Sequence, residues 1–144
     1  MESLLCKDSR MIDIILKDQP RSQKRHRATR SGHIYDPSSK DKKKTMLQLN
    51  QFKPNKPLEG ALLVKMIFTF KRPKSHYRTG KHSHLLKTNM PQYYTSTPDA
   101  DNCAKYYLDC MNKVYYKDDS QVAMLQVEQY YEKKPSVEII IEEL

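Results

Sequence analysis

The sequence predicts an α/β (α+β) fold in which a small mixed β-sheet packs against helices. Two observations support this class. An almost continuous apolar run covers residues 61–70, and apolar residues recur at helical spacing between Asp99 and Lys113. Strand-like and helix-like segments alternate along the chain, which is typical of helices packed on a mixed sheet. At 144 residues, the chain is most simply one domain spanning 1–144.

The first half of the chain predicts a strand, a helix and a second strand. Residues 11–16 are rich in β-branched side chains, which favours a strand. Ser38 or Ser39 is expected to cap a helix that runs to about Phe52, before two prolines end it. The apolar run of residues 61–70 then predicts a strand that is covered on both faces.

The second half predicts a helix followed by two strands. Residues 99 to about 113 place Cys103, Cys110 and their apolar neighbours on one helical face. Residues 122–131 and 137–141 predict two strands, which we expect to be joined as a hairpin. The cysteines are odd in number and contain no Cys-x-x-Cys pair, so we expect reduced thiols in an intracellular protein.

The charge of the chain predicts a polyanionic partner. The formal net charge is +9, which favours nucleic acid or an acidic membrane surface. No apolar run approaches the length of a membrane span, so no membrane partner is expected. The basic residues concentrate in two loops, 21–44 and 71–97, and residues 1–10 form an N-terminal extension. The candidate DNA contacts in these loops are Arg21, Lys24, Arg25, Arg27, Lys71, Arg72, Lys74, His76, Arg78 and Lys81.

Two pairs of aspartates stand out against this basic background. Asp99 and Asp101 lie at the predicted start of the second helix, and Asp118 and Asp119 follow that helix. Carboxylate oxygens are the ligands that Mg²⁺ prefers. Each pair also has an ordinary interpretation, because aspartates commonly cap helices and occupy turns.

The spacing allows the two aspartate pairs to meet. A helix of about ten residues spans roughly 15 Å, and the extended segment after it covers roughly 20 Å. The second pair can therefore return to the helix start. Lys105 and Asp109 share the helical face of Asp101, which is consistent with a site or with a solvated salt-bridge face.

The motifs resemble those of the RusA-like family of Holliday junction resolvases, also called crossover junction endodeoxyribonucleases. The matching elements run from Pro98 to Lys105 (PDADNCAK), from Leu108 to Met111 and from Val114 to Val122 (VYYKDDSQV). The basic segments 19–27 and 70–81 also look like family elements. The combination of Asp-x-Asp-Asn-x-x-Lys with Asp-Asp-x-Gln is specific, whereas either half alone is weak.

The resemblance implies a function and a set of site residues. Asp99, Asp101 and Asp119 match the three metal-binding aspartates of the family, Asp118 is their companion, and Lys105 matches a catalytic lysine. The family folds as a small α/β domain and acts as a homodimer. It uses magnesium, for which we expect manganese to substitute, to make paired nicks in four-way DNA junctions during recombination and repair. A cytoplasmic, nucleoid-associated protein is expected, and members are often encoded by phages or prophages.

Three alternatives remain open from the sequence. A less selective nuclease acting on flaps or forks would use the same residues. A non-catalytic, structure-selective DNA-binding protein would keep the fold and use its carboxylates structurally. A basic RNA-binding protein ranks lowest, because it offers no reason for two aspartate pairs.

Overall fold

The computed structural model describes residues 10–144, so nine of the ten residues of the predicted N-terminal extension, including Cys6, lie outside the described residues. Within the described part of the chain, no helix is long and apolar enough to cross a membrane. The strands and helices, numbered in chain order, are β1 (Met11–Leu16), β2 (Arg27–Ala28), β3 (Ile34–Tyr35), α1 (Ser39–Asn50), β4 (Leu62–Lys71), α2 (Ala100–Met111), β5 (Val122–Glu132) and β6 (Ser136–Glu143).

Four of the strands form one mixed sheet in the order β1–β6–β4–β5. Strand β6 is antiparallel to both of its neighbours, β1 and β4, whereas β5 runs parallel to β4. The short strands β2 and β3 pair with each other inside the first basic loop. This mixed sheet with two helices confirms the predicted fold class.

The predicted hairpin between the last two strands is wrong. Strands β5 and β6 follow each other in the chain, but β4 lies between them in the sheet. Neighbouring strands are about 4.8 Å apart, so a connection that passes over one strand must cross about 10 Å. The chain between Glu132 and Ser136 is long enough for this step. Strand β6 is therefore an interior strand and has no free edge.

Within residues 10–144, helices cover one face of the sheet. Along β4, buried side chains alternate with partly exposed ones, so the expectation that both faces are covered was wrong. The buried side chains belong to Leu62, Val64, Met66, Phe68 and Phe70, which are at most 2% exposed. The ring of Phe68 lies 5.4 Å from that of Tyr107 on α2, which places α2 on this face.

Helix α2 supplies the crossover that parallel strands require. It connects β4 to β5 and buries one face against the sheet, including Cys103, Tyr107 and Cys110. Burial raises the pKa of both thiols to about 12, so they stay protonated at neutral pH. Both cysteines are free, which confirms the predicted reduced state for these two residues.

Helix α1 is joined to α2 through buried hydroxyl groups. The hydroxyls of Thr45 and Tyr106 lie 2.8 Å apart, and the Tyr115 hydroxyl donates a hydrogen bond to the Leu49 carbonyl. Because both bonds are buried, they fix the two helices relative to each other. The second basic loop, 71–97, contains only two short 3₁₀ turns, as its composition predicts. The first ends earlier than predicted, because α1 begins at Ser39.

Candidate metal and nucleic-acid site

The solvent-facing side of α2 borders an acidic groove. Asp101, Lys105 and Asp109 lie four residues apart, so they share one helical face. Together with Asp119 and the β5 side chains Leu125 and Val127, they line a groove of about 510 Å³. The structure therefore brings Asp101, Lys105 and Asp119 of the predicted site into one groove.

Asp99 occupies the N-cap position of α2, but its side chain makes no capping hydrogen bond. The ordinary interpretation of this residue as a helix cap therefore does not account for its carboxylate. Asp101 lies in the first turn of the helix, where a negative charge is favoured by the helix dipole. Asp101 lines the groove, whereas Asp99 does not belong to its lining.

The position of Asp119 is fixed by the side-chain amide of Gln121. The amide oxygen accepts hydrogen bonds from the backbone N–H groups of Lys117 and Asp118, at 2.9 and 3.0 Å. The amide nitrogen donates to the carbonyls of Leu58 and Gly60, at 3.1 and 3.0 Å. One side chain thus ties the aspartate pair to the segment before β4. This explains physically why a glutamine follows the two aspartates.

Asp118 points to a different pocket from its neighbour Asp119. Its carboxylate accepts a hydrogen bond from the Ser120 N–H at 3.3 Å and caps the short 3₁₀ turn Asp119–Gln121. Hydrogen bonding by Ser120 lowers the pKa of Asp118. Three lysines also line this pocket, and none of the other site aspartates does. The charged lining residues are Lys56, Glu59, Lys113, Lys117 and Asp118.

The carboxylates are distributed along α2. Burial, and then the charges of Asp99 and Asp101, raise the pKa of Cys103 near the start of the helix. Burial, and then the charges of Asp119 and Asp109, raise the pKa of Tyr116 beyond the other end. Eight residues of helix, from Asp101 to Asp109, span about 12 Å. The two acidic groups therefore lie towards opposite ends of the groove.

Within residues 10–144, no three acidic, histidine or cysteine side chains are close enough together to hold a metal ion. This does not conflict with magnesium chemistry. Mg²⁺ keeps several waters and is usually bound by one or two carboxylates together with substrate phosphates, rather than by a complete protein cage. Asp101 and Asp119 present carboxylates towards the two ends of one groove, and each can provide the single carboxylate that such an ion needs beside waters and substrate phosphates.

Asp109 also lines the groove, although the resemblance to the family gave it no role in the site. Its carboxylate forms a salt bridge with the Lys42 ammonium at 3.2 Å, and Lys42 also pairs with Asp36 at 2.9 Å. Burial acts to lower the pKa of Lys42, but its bonds to the two carboxylates raise it. The pairing joins α1 to the groove. The helical spacing of Asp101 and Asp109 in the sequence indicates that they share a face of α2. It does not indicate that Asp109 pairs with Lys42, which lies 67 residues away in the chain.

The predicted DNA-binding residues fall into three groups. Arg21 is engaged in ion pairs with Asp18 and Asp41. Arg72 and His76 support the second basic loop: the Arg72 guanidinium donates to the Pro91 carbonyl at 2.8 Å, and both side chains pack on the Tyr131 ring. The remaining basic residues of the set are exposed, namely Lys24, Arg25, Arg27, Lys71, Lys74, Arg78 and Lys81.

Comparison with known proteins identifies the family. The family model described as endodeoxyribonuclease RusA matches residues 18–142. The chain belongs to the RusA family of endodeoxyribonucleases. It is 31% identical over 112 residues to the crossover junction endodeoxyribonuclease rusA of Lactococcus phage r1t, covering 77% of this chain and 78% of that protein. It is also 31% identical over 138 residues to the uncharacterized protein YqaN of Bacillus subtilis (strain 168), covering 92% and 96%.

Membership in the RusA family confirms the resemblance drawn from the aspartate motifs, and with it the expected class of enzyme. The matched region contains both aspartate pairs, Lys105 and the whole of the two basic loops. The roles of individual residues in this chain stay predictions.

We expect replacement of Gln121 by methionine to loosen the Asp119 segment. Methionine has a similar volume but makes none of the four hydrogen bonds, so the free energy of unfolding should fall by about 1–3 kcal/mol. Amide hydrogen exchange should accelerate at Lys117 and Asp118, whose N–H groups lose their acceptor. Gln126→Met is the matched control, because its side chain bonds only to Glu128 on the same strand. Unchanged exchange at both amides in Gln121→Met would contradict the assigned role.

The Lys42–Asp36 pair predicts a specific acid sensitivity. Partial burial acts to raise the pKa of Asp36, but hydrogen bonds from Lys42, the Ser38 N–H and Gln23 lower it to about 2. A carboxylate with a lowered folded pKa stabilises the protein above its unfolded pKa of about 3.9, and this contribution is lost as the pH falls towards 2. Between pH 4 and pH 2, the natural protein should lose about 1–2 kcal/mol more unfolding free energy than Asp36→Asn.

Urea unfolding at a series of pH values measures this difference. Asp18→Asn is the control, since the long and exposed Asp18–Arg21 pair contributes little, and it should follow the natural profile. If Asp36→Asn also follows that profile, the pair does not stabilise the fold in the way described.

Proposed function

We propose that this protein is a divalent-metal-dependent endonuclease, with magnesium as the natural ion, that resolves Holliday junctions by paired nicks in four-way DNA. Manganese is expected to substitute for magnesium. Family membership supports this proposal at the level of the enzyme class. The crossover junction endodeoxyribonuclease of the phage relative supports the branched-DNA substrate. A role in DNA recombination and repair is the corresponding biological expectation.

The observation that carries the proposal is the groove shared by Asp101, Asp119 and Lys105. Carboxylates and an exposed ammonium group in one groove match the needs of phosphodiester hydrolysis, in which a cation must be held beside a phosphate. We assign metal binding to Asp99, Asp101 and Asp119. For Asp118, a structural role in the turn is the simpler assignment, since its carboxylate already caps that turn.

The residues of the groove suggest a division of roles. When bound, a magnesium ion lowers the pKa of water and stabilises charge on the transferring phosphoryl group. Asp101 and Asp119, towards opposite ends of the groove, would each contribute a carboxylate to metal binding and leave positions for water and phosphate oxygens. Lys105 lies on the same helical face, where its ammonium group can stabilise the additional negative charge of the transition state. Leu125 and Val127 give the groove an apolar wall.

A homodimer would supply the two active sites that paired nicks require. Strand β6 cannot provide a shared sheet edge, because it lies inside the sheet. Of the two C-terminal strands, β5 is therefore the candidate for the dimer contact. It is the terminal strand of the sheet beside the groove, and its side chains Met124 and Leu125 are 57% and 47% exposed. Residues 92–94 hydrogen-bond to Gln129 and Tyr131 at one end of this edge, so the part of β5 that contains Met124 and Leu125 is the part that can pair with another chain.

Cleavage of a labelled synthetic four-way junction in Mg²⁺ tests the proposal, together with binding in Ca²⁺. The natural protein should make symmetric nicks. Asp101→Asn should bind the junction but cut at least roughly 100-fold more slowly, because the loss of about 3 kcal/mol of transition-state stabilisation corresponds to that factor. The matched control is Asp13→Asn, which removes an exposed aspartate on β1, at the far edge of the sheet from β5, and should cut at the natural rate.

The other outcomes identify the alternative functions. Equal cleavage of forked, flapped and four-way substrates would indicate a less selective nuclease. Binding of branched DNA without cleavage by the natural protein would indicate a structure-selective DNA-binding protein with structural carboxylates. Absence of DNA binding would contradict both the proposed function and the assignment of the basic residues.

A further inference from the structure

A second, basic pocket adjoins the acidic groove on the other side of Lys105. It has a volume of about 250 Å³ and lies between the first basic loop and α2. Lys105 lines both this pocket and the groove. A ligand that occupies one of the two therefore lies next to a ligand in the other. The lining consists of Gln23, Lys24, Arg25, His26, Asn102 and Lys105.

The loop that forms this pocket is tied to the helices through its backbone. The Gln23 N–H donates to the Asn102 carbonyl on α2 at 3.1 Å. The Lys24 N–H donates to the Ser38 hydroxyl, at the start of α1, at 2.9 Å. Earlier in the same loop, the Arg21 N–H donates to the Tyr107 hydroxyl at 3.0 Å. The pocket is therefore a preorganised feature of the fold, which reduces the entropic cost of binding.

The charges of the pocket are not neutralised by the carboxylates of the described residues. Lys24, Arg25 and Lys105 are exposed, and none of them belongs to an ion pair within residues 10–144. Arg21 lies in the same loop but differs from these three residues, because its charge is paired with Asp18 and Asp41. A guanidinium and two ammonium groups around a small cavity favour a phosphate group, which accepts several charge-assisted hydrogen bonds.

We infer that the basic pocket binds the backbone phosphate adjacent to the scissile phosphate on the cleaved strand. This inference rests on the proposed function, which places the scissile phosphate in the acidic groove. Consecutive phosphates of one strand are spaced about 3.4 Å along the duplex axis, so neighbouring phosphates suit two cavities that share one side chain. Lys105 bridges the two phosphates, and Arg25 fixes the register of the strand.

The composition of the pocket distinguishes a phosphate from an unstacked base. Base-binding sites on proteins are built around aromatic side chains on which the bases stack. Here the lining contains no tyrosine or phenylalanine, His26 is its one aromatic ring, and three of its six residues are lysine or arginine. Contacts of this kind position a strand without reading its sequence.

Junctions that carry one neutral methylphosphonate test the inference. The substitution is placed in turn at each phosphate within three nucleotides of the cut, and binding is measured in Ca²⁺. For the natural protein, neutralising the phosphate next to the scissile one should weaken binding about tenfold. For Arg25→Gln the same substitution should change binding less than threefold, because the partner charge is already absent. For Arg25→Gln, the slope of the logarithm of affinity against the logarithm of salt concentration should also decrease by the amount expected for about one phosphate contact.

Arg27→Gln is the matched control. It removes the same charge from an exposed residue two positions further along the loop, in β2 and outside the pocket. We expect it to weaken binding while keeping the full tenfold sensitivity to the neutralised phosphate. The pocket assignment is overturned if Arg25→Gln keeps that sensitivity, or if Arg27→Gln loses it instead.

The failure of this inference differs from the failure of the proposed function. If the natural protein cuts the junction but the sensitive phosphate maps away from the cut, only the pocket assignment falls. If the natural protein cuts no junction, the proposed function falls. The pattern of binding in Ca²⁺ then still decides whether Arg25 contacts a backbone phosphate.

Discussion

The burial of one face of α2 is the constraint on which the candidate site depends. Cys103, Tyr107 and Cys110 are fixed against the sheet, each at most 2% exposed. A helix anchored by such side chains cannot rotate about its axis without opening the core, which is packed as densely as an organic crystal. The opposite face must then present Asp101, Lys105 and Asp109 to solvent in a fixed orientation.

The same constraint brings the other parts of the site together. Strand β5 lies beside α2 because the parallel pairing with β4 needs a crossover, and the loop that carries Asp119 precedes β5. Helix α1 contributes Lys42, which neutralises Asp109 from behind the groove. The first basic loop is bonded to α2 at Asn102. A surplus of positive charge is thus arranged around a small acidic groove, as expected for metal-assisted chemistry on a polyanion.

Much of this arrangement could be predicted from the sequence. Helical periodicity predicted both faces of α2. The aspartate motifs predicted Asp101 and Asp119, which line one groove, but Asp119 lies towards the far end of that groove and does not return to the helix start. Strand order was not predictable in the same way. The pattern of alternating buried residues in β6, Val137, Ile139 and Ile141, shows that a strand has a buried face but not which strand lies beside it. A short connection suggested a hairpin, yet it is also long enough to pass over β4.

The long-range polar contacts also could not be predicted from the sequence. Gln121 belongs to a recognisable motif, but its bonds to Leu58 and Gly60 link segments about 60 residues apart. Such contacts depend on tertiary structure and leave no local periodic signal. They separate the two adjacent aspartates, because the turn that Asp118 caps directs Asp119 into the groove. Sequence motifs alone treat Asp118 and Asp119 as a pair.

Binding of Mn²⁺ to the protein, followed by electron paramagnetic resonance of the free ion, tests the central claim most directly. The natural protein is compared with Asp101→Asn, Asp119→Asn and Asp118→Asn. The groove described above predicts that the first two variants bind Mn²⁺ at least tenfold more weakly, whereas Asp118→Asn binds it as the natural protein does. Loss of binding in Asp118→Asn, with unchanged binding in Asp119→Asn, would contradict the assignment of the groove as the metal site.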